Sequence, residues 1–268
     1  MSTFYNSERL KYNQMNYNND VELDNFCSQC LLVINAVGPS FKINDKIALH
    51  ALRNNCHYID IGGYGILRDL LKPYEKSIEA QKLCFIIGVG WMPGISGVFS
   101  KTIIETHLNS PENTNFNIYY GAVDNWSYSS TYDLAASSMG KTRSYVYSHG
   151  KEIQVSPFRY THHKFFPFIG HKKICMPSFD EQLTQLATSL KQIRKISTFI
   201  MLNDYISMGK FMFIKIFYKH NLNKATLMLQ DDYQRLVKKE NKWGSVICQV
   251  SKIEPERKID TFYYLYTK

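Results

Sequence analysis

The sequence lacks any long hydrophobic run. No apolar stretch among its 268 residues approaches the roughly 20 residues that a membrane-spanning helix needs. The first twenty residues also lack the apolar middle segment of a secretory signal. With 44% apolar and 21% charged residues, the chain can bury a sizeable core. These features predict a cytoplasmic globular protein with no membrane span.

Cysteine is scarce as well. Six residues scattered over this length exclude a disulfide scaffold. Cys27 and Cys30 have Cys-x-x-Cys spacing, but the sequence has no second such pair to complete a site. Buried free thiols are therefore favoured over a zinc or redox site. Another set could in principle bind zinc, although a surface loop explains it better: His162, His163, His171 and Cys175. We therefore predict no metal.

Charge is unevenly placed along the chain, which carries a net charge of +9. Residues 1–107 hold ten basic and ten acidic side chains, whereas residues 108–268 hold 22 basic and 13 acidic ones. Such asymmetry indicates either an anionic partner or a solvated surface. No base-stacking motif accompanies a continuous basic groove, so we expect no tight binding of nucleic acid.

One lysine-rich segment has two interpretations. Residues 209–224, GKFMFIKIFYKHNLNK, mix aromatic side chains with lysines. They could lie on a membrane or along a nucleic acid. A helix packed on a sheet, with its lysines in water, explains the same pattern and is favoured.

The order of strand-like and helix-like segments changes near residue 108, which predicts two domains, residues 1–107 and 108–268. In the first, strand-like and helix-like patterns alternate, which predicts a parallel sheet with helices on its faces. The predicted strands are CLLVINAV, CHYIDIGG and CFIIGVG. The predicted helices are NDKIALHALRNN with Asn44 as its cap, LLKPYEKSIEAQKL with Pro73 near its start, and GISGVFSKTIIETHL.

From about residue 108 the patterns predict an α+β module with a mostly antiparallel sheet. FNIYYGAVD is strand-like, and RSYVYSHGKEIQVSPF predicts a hairpin that turns at His149–Lys151. FDEQLTQLATSLKQI predicts a helix. WGSVICQVSKI and DTFYYLYTK predict a closing hairpin through Glu254–Lys258.

Three predicted strands in the first domain end in segments rich in glycine and proline: Asn35–Pro39, Asp60–Gly63 and Gly88–Gly94. Ligands of open parallel sheets bind beyond these strand ends, so the three segments predict a binding edge. The alternative is that these Gly and Pro residues only terminate the strands and have no role in binding. Gly88–Gly94 is no dinucleotide fingerprint, because Pro93 stands in place of the third glycine. A rigid turn beside a cofactor or substrate is the better interpretation.

The run LVINAVGPSFKINDKIALHALRNNCHYIDIGG, followed by IIGVGWMPGISG, resembles the saccharopine dehydrogenase-like family of NAD(P)-dependent oxidoreductases. The resemblance implies a Rossmann-type domain and a substrate domain that also mediates homodimerisation. It implies NADP or NAD as cofactor, and hydride transfer to or from a carbon–nitrogen bond of an amino-acid-derived substrate. Carried over by position, the cofactor side would be Asn35, Ala36, Val37, Gly38, Pro39 and Asp60, and the substrate side Trp91, Pro93 and Gly94.

The chain departs from the family at its start. The family opens with a strand, a Gly-rich loop and a helix that hold the cofactor pyrophosphate, whereas residues 1–30 here contain no glycine. We therefore expect an N-terminally truncated Rossmann-type sheet, with residues 10–17 or a partner chain beside the strand LLVINAV. NAD(P)H should bind poorly. The alternative function is a non-catalytic remnant that serves as a binding or interaction protein.

Overall fold

The structure is a computed structural model that describes residues 10–62, 65–108, 113–139, 144–178, 181–190 and 193–267. Its internal contacts divide the chain into two compact units. The first unit consists of Met1–Val37 and Ile43–Val89, and the second of Gly38–Lys42 and Gly90–Lys268. The fold class is α/β, as predicted. The functional division into residues 1–107 and 108–268 stays a prediction.

The first unit contains a small parallel sheet, ordered β1-β2-β3. Its strands are β1 (Leu32–Asn35), β2 (His57–Asp60) and β3 (Phe85–Ile87). The helices of this part of the chain are α1 (Asp20–Cys27), α2 (Ser40–Ile43), α3 (Lys46–Arg53), α4 (Gly65–Leu71) and α5 (Glu75–Ala80). The three predicted strands are therefore confirmed, and helices alternate with them.

Among the described residues, helices pack on one face of this sheet. Val33 and Tyr58 point into the core, where they pack with Ala48, Ala51 and Leu67 from α3 and α4. On the opposite face Leu32, Ile34 and Ile86 are 41%, 61% and 47% exposed. Parallel sheets are ordinarily buried on both faces, so this apolar face is unusual.

Two details of the predicted helices are wrong. Asn44 does not cap α3. It follows α2 in a left-handed conformation, with φ at 51°, and α3 begins two residues later with Asp45 at its N-cap position. Pro73 does not lie inside one long helix. It occupies a 3-10 turn, Lys72–Tyr74, that separates α4 from α5, because proline cannot donate the helical hydrogen bond and clashes with the preceding turn.

Of the two alternatives for the place beside β1, residues 10–17 are excluded, and a partner chain stays a prediction. These residues contain no strand. Met15 and Tyr17 pack against the core of the first unit, whereas Leu10 and Tyr12 are exposed. Within the described residues β2 is the only neighbour of β1, which is therefore an edge strand.

The second unit is built on an eight-stranded sheet, with the path β11-β10-β4-β9-β5-β6 and with β8 joined to β9 and β7 to β8. Its strands are β4 (Thr114–Val123), β5 (Tyr145–Ser148), β6 (Lys151–Gln154), β7 (His162–Phe166), β8 (His171–Pro177), β9 (Lys195–Leu202), β10 (Trp243–Ile253) and β11 (Lys258–Thr267). The β4–β9 pair is parallel, and the other pairs in this sheet are antiparallel. The predicted, mostly antiparallel sheet is confirmed.

Both predicted hairpins are confirmed. His149 and Gly150 turn between β5 and β6 with φ angles of 48° and 73°, the left-handed pair that a two-residue hairpin turn requires. β10 and β11 pair from Gly244↔Thr267 to Ile253↔Lys258.

Helices cover one face of the large sheet. The helices of the second unit are α6 (Ile95–His107), α7 (Tyr128–Met139), α8 (Pro157–Tyr160), α9 (Glu181–Ser189), α10 (Tyr205–Phe217) and α11 (Leu222–Val237). Phe116, Ile118 and Val246 pack with Ile103 of α6 and Ala187 of α9.

The other face of the large sheet curls upon itself. Tyr119, Phe166, Phe199 and Trp243 fill its interior. The two outer parts of the sheet approach each other, since Phe168, just after β7, stacks on Tyr264 of β11 with ring centroids 4.2 Å apart. The curled sheet and Leu236 of α11 together enclose this second core.

Candidate functional site

The strand ends of the first unit meet at one edge of the small sheet. Asn35, the last residue of β1, pairs in register with Asp60, the last residue of β2. Ile87, at the end of β3, lies beside Asp60, and the Val89 amide donates a hydrogen bond to the Asp60 carbonyl at 3.0 Å. The predicted convergence is thus confirmed for the segments that belong to this unit. Gly63 lies outside the described residues.

Asn35 explains why β1 ends on an amide. Its Nδ2 group donates to the Asp60 carboxylate at 2.7 Å and to the Tyr58 hydroxyl at 3.0 Å. Its Oδ1 atom accepts a hydrogen bond from the Val37 amide at 3.0 Å, which starts the turn through Ala36. One side chain therefore joins two strands and shapes the following loop.

Asp60 is the chemically distinctive member of this cluster. Its side chain is 3% exposed, and its Oδ2 atom accepts hydrogen bonds from both Tyr58 and Asn35. Its Oδ1 atom is buried and has no partner among the described residues. A buried carboxylate oxygen without a donor is costly, so this atom can accept a hydrogen bond from a small ligand.

Tyr58 was missed by sequence reasoning. Burial, and then the neighbouring Asp60, raise the pKa of its phenol, which holds the hydroxyl as a donor to Asp60 at 2.7 Å. The signal was available, since residues two apart on a strand share one face and Tyr58 stands two before Asp60.

Gly38 and Pro39 belong to the second unit, where the loop that follows β1 enters α2. A Cβ on Gly38 would lie 2.8 Å from that of Ser129, so a larger residue does not fit there. The next two amides donate to the Asp133 carboxylate, at 2.9 Å from Ser40 and 3.2 Å from Phe41. The chain's own carboxylate therefore occupies these donors.

The backbone amides of the turn before α6 are also already hydrogen-bonded within the second unit. The Gly90 amide donates to the Pro93 carbonyl, and the Gly94 amide donates to the Gln182 side chain, each at 3.0 Å. Gly94 has a φ of 123°, which L side chains rarely adopt. The next two amides donate back to carbonyls of the turn, and Trp91 packs against the core of the second unit.

The backbone amides at the starts of α2 and α6 are not free to bind an anion. They are already bound by Asp133, by Gln182 and by the turn itself. Asp60, in contrast, offers a free acceptor of the kind that ribose hydroxyl and carboxamide groups need.

The comparisons with known proteins give distant likenesses among solved structures. No protein-family model and no curated protein matches the sequence. Among solved structures, the chain is similar to the yvaA protein of Bacillus subtilis, a provisionally assigned oxidoreductase. The likeness has a TM-score of 0.34 and 7% sequence identity, over 90% of this chain and 69% of that one.

The histidine and cysteine set considered for zinc does not converge. His162 and Cys175 face each other across β7 and β8, but His163 bonds to the Tyr205 hydroxyl and His171 lies beside Glu240. Within the described ranges, no three His, Cys, Asp or Glu side chains form a metal-binding group.

Polar side chains also line part of the curled sheet in the second unit. Asn117 lies in register with Ser197 on β9 and with Gln249 on β10, and Gln249 bonds to the Tyr119 hydroxyl at 2.9 Å. Ser197 is 2% exposed, and its hydroxyl has no partner among the described residues; neither has Oδ1 of Asn115, two residues before Asn117. The interior of this sheet can therefore accept further hydrogen bonds.

Proposed function

We propose that the chain is a saccharopine dehydrogenase-like oxidoreductase. The observation that supports this best is the buried Asp60, whose free Oδ1 atom lies at the binding edge of a parallel sheet. The sequence resemblance assigns the same edge to NADP or NAD. When bound, the nicotinamide would carry the hydride exchanged with a carbon–nitrogen bond of an amino-acid-derived substrate.

In this proposal the residues of the edge bind and orient. Asp60 accepts a hydrogen bond from the nicotinamide half of the cofactor, and Asn35 holds both Asp60 and the loop of Ala36 and Val37 in position. The remaining proposed residues keep the roles implied by the resemblance: Gly38 and Pro39 on the cofactor side, and Trp91, Pro93 and Gly94 on the substrate side. The polar interior of the second unit supports a substrate with both donors and acceptors. A homodimer remains part of the proposal.

Calorimetric titration with NADPH, NADH and reduced nicotinamide mononucleotide tests the cofactor proposal. Two or three hydrogen bonds to the pyrophosphate would tighten binding about a thousandfold, at about 1.5–3 kcal/mol each. Because residues 1–30 contain no glycine and therefore no Gly-rich loop to hold the pyrophosphate, we expect the mononucleotide and NADPH to bind within about threefold of each other.

Asp60→Asn provides the matching variant. It should weaken mononucleotide binding about tenfold, because the free acceptor loses its charge. Asp69→Asn, at an exposed side chain of α4, serves as the control and should change nothing. The cofactor assignment fails if no nicotinamide compound binds the intact chain. Binding of NADPH a hundredfold tighter than the mononucleotide would show that another segment holds the pyrophosphate.

A binding protein without hydride transfer is the second candidate function. The observation that favours it is that residues 1–30 contain no glycine, so the Gly-rich loop that holds the pyrophosphate in the family has no counterpart there. The absorbance of the reduced nicotinamide, followed with a panel of amino-acid-derived imines, separates the two. Oxidation of the cofactor supports the oxidoreductase, and binding without turnover supports the binding protein.

A further inference from the structure

The helix α10 carries an apolar face that the rest of the protein leaves uncovered. Its other face is anchored, because Phe211 and Ile214 are buried with residues of α11 and β8. The uncovered side chains are large, and their exposed fractions are high: Tyr205 62%, Ile206 51%, Phe213 39%, Ile216 65% and Phe217 65%. Contiguous exposed apolar surface of this kind marks an interaction site.

The apolar face is held rigidly in place. Asp204 caps the start of α10, accepting from the Ser207 amide at 2.8 Å, and the Arg235 guanidinium of α11 holds Asp204 with two hydrogen bonds of 2.7 and 2.9 Å. Phe213 and Phe217 stack on each other with ring centroids 4.5 Å apart. The face is therefore preformed, and no helix has to fold for it to be used.

The charge around this face has one sign. Residues 205–230 contain four lysines and no acidic residue: Lys210, Lys215, Lys219 and Lys224. The nearest acids in sequence are already paired, Asp204 with Arg235, and Asp231 and Asp232 with Lys210. Lys210 is neutralised by its pairs and Lys215 lies over the buried Phe211 ring, so the basic charge beside the apolar face comes from the exposed Lys219 and Lys224.

We propose that this face docks on the surface of an anionic membrane. Large apolar side chains enter the boundary between lipid headgroups and acyl chains, while lysines at the rim reach the acidic headgroups. A second copy of the chain fits less well, because a two-fold contact through the same face would oppose basic rims. The helix lies on the membrane, since its 13 residues extend only about 20 Å, and none of the described helices is long and apolar enough to cross a bilayer.

Co-sedimentation with lipid vesicles tests this proposal on the full chain. We expect binding to vesicles of equal parts phosphatidylcholine and phosphatidylserine, weaker binding to phosphatidylcholine alone, and loss of the difference at high salt. Phe213→Ser combined with Phe217→Ser should weaken binding tenfold or more, because both rings lose their apolar contact with lipid. Phe158→Ser removes a Phe that is 74% exposed on α8, and it should bind like the unmodified chain.

The basic rim has its own variant. Lys219→Gln combined with Lys224→Gln should reduce binding to the anionic vesicles severalfold and leave binding to the neutral ones unchanged, because only the electrostatic attraction is lost. The proposal is overturned if the unmodified chain does not sediment with anionic vesicles, or if the double Phe variant binds equally well. Conversion of a dimer to a monomer by the double Phe variant, without vesicle binding, would assign the face to a second copy instead.

Discussion

Replacing Tyr58 by Phe removes one hydroxyl from the cluster at the edge of the small sheet and leaves its packing volume nearly unchanged. The hydroxyl donates to the Asp60 carboxylate at 2.7 Å and accepts from Asn35 at 3.0 Å. Hydrogen bonds to charged groups contribute about 1.5–3 kcal/mol, and no water can take the place of this buried donor without rearrangement. We expect Tyr58→Phe to lower the opening free energy of the first unit by about 2 kcal/mol.

Hydrogen exchange is the suitable assay, because residues 1–89 contain no tryptophan to report their unfolding. A loss of about 2 kcal/mol corresponds to about thirtyfold faster exchange of the amides in β1, β2 and β3. Tyr12→Phe is the control, since Tyr12 is 89% exposed, and it should leave these amides unchanged. If Tyr58→Phe accelerates exchange by less than about twofold, the buried network does not stabilise this sheet as argued.

Three further outcomes follow from burial and pairing. Val33→Ala should destabilise the first unit by about 2 kcal/mol, because Val33 is 5% exposed, whereas Ile34→Ala, on the exposed face of the same strand, should cost less than about 0.5 kcal/mol. Urea unfolding monitored by hydrogen exchange compares the two variants. Ser197→Ala should be neutral or slightly stabilising in thermal unfolding, because it removes a buried hydroxyl without a partner, and clear destabilisation would instead show that bound water or ligand uses this hydroxyl. Burial alone would raise the pKa of Asp204, but hydrogen bonds from Arg235 lower it to about 2, below the ordinary 3.8. The stabilisation that these hydrogen bonds contribute is therefore complete above about pH 4, and it should be lost as the pH falls from about 4 to about 2. In Asp204→Asn, the free energy of unfolding measured against pH should lack this contribution.

The sequence predicted the strands and hairpins well because their signals are local. LVIN, HYID and FII are short runs of β-branched and aromatic residues that end at Gly, Pro or Asp, and each forms a strand. The hairpin at His149 and Gly150 was predicted because a turn containing glycine separates two strand-like runs, and both turn residues have positive φ. The errors lie where two signals compete. Pro73 stands within a helical pattern, and its missing N–H group divides that pattern in two.

The pairing of β1 could not be predicted from the same local signals. The expectation of a neighbour on its other side came from the Rossmann strand order that the family resemblance implies. Which strand pairs with which depends on contacts between residues far apart in sequence. Residues 10–17 have aromatic and apolar side chains suited to a strand, but Met15 and Tyr17 are used as core packing.

The candidate site shows the same limit at the level of chemistry. The sequence located Asn35 and Asp60 at neighbouring strand ends, and it could not reveal that their mutual hydrogen bond consumes one carboxylate oxygen and leaves the other free. Nor could it reveal that Asp133, 93 residues after Ser40, binds the amides that follow β1.

That last contact bears on how a strand-to-helix turn should be interpreted. A strand, a short turn with glycine and the start of a helix form an anion site only when the amides remain free. At α2 the bound anion is the Asp133 carboxylate, and at Gly94 the acceptor is the Gln182 side chain. The same local geometry therefore serves to fasten elements within the second unit. The free acceptor of the first unit, Oδ1 of Asp60, requires a partner of opposite hydrogen-bonding character, a donor. In the function proposed above, this edge therefore recognises its ligand through a hydroxyl or amide group.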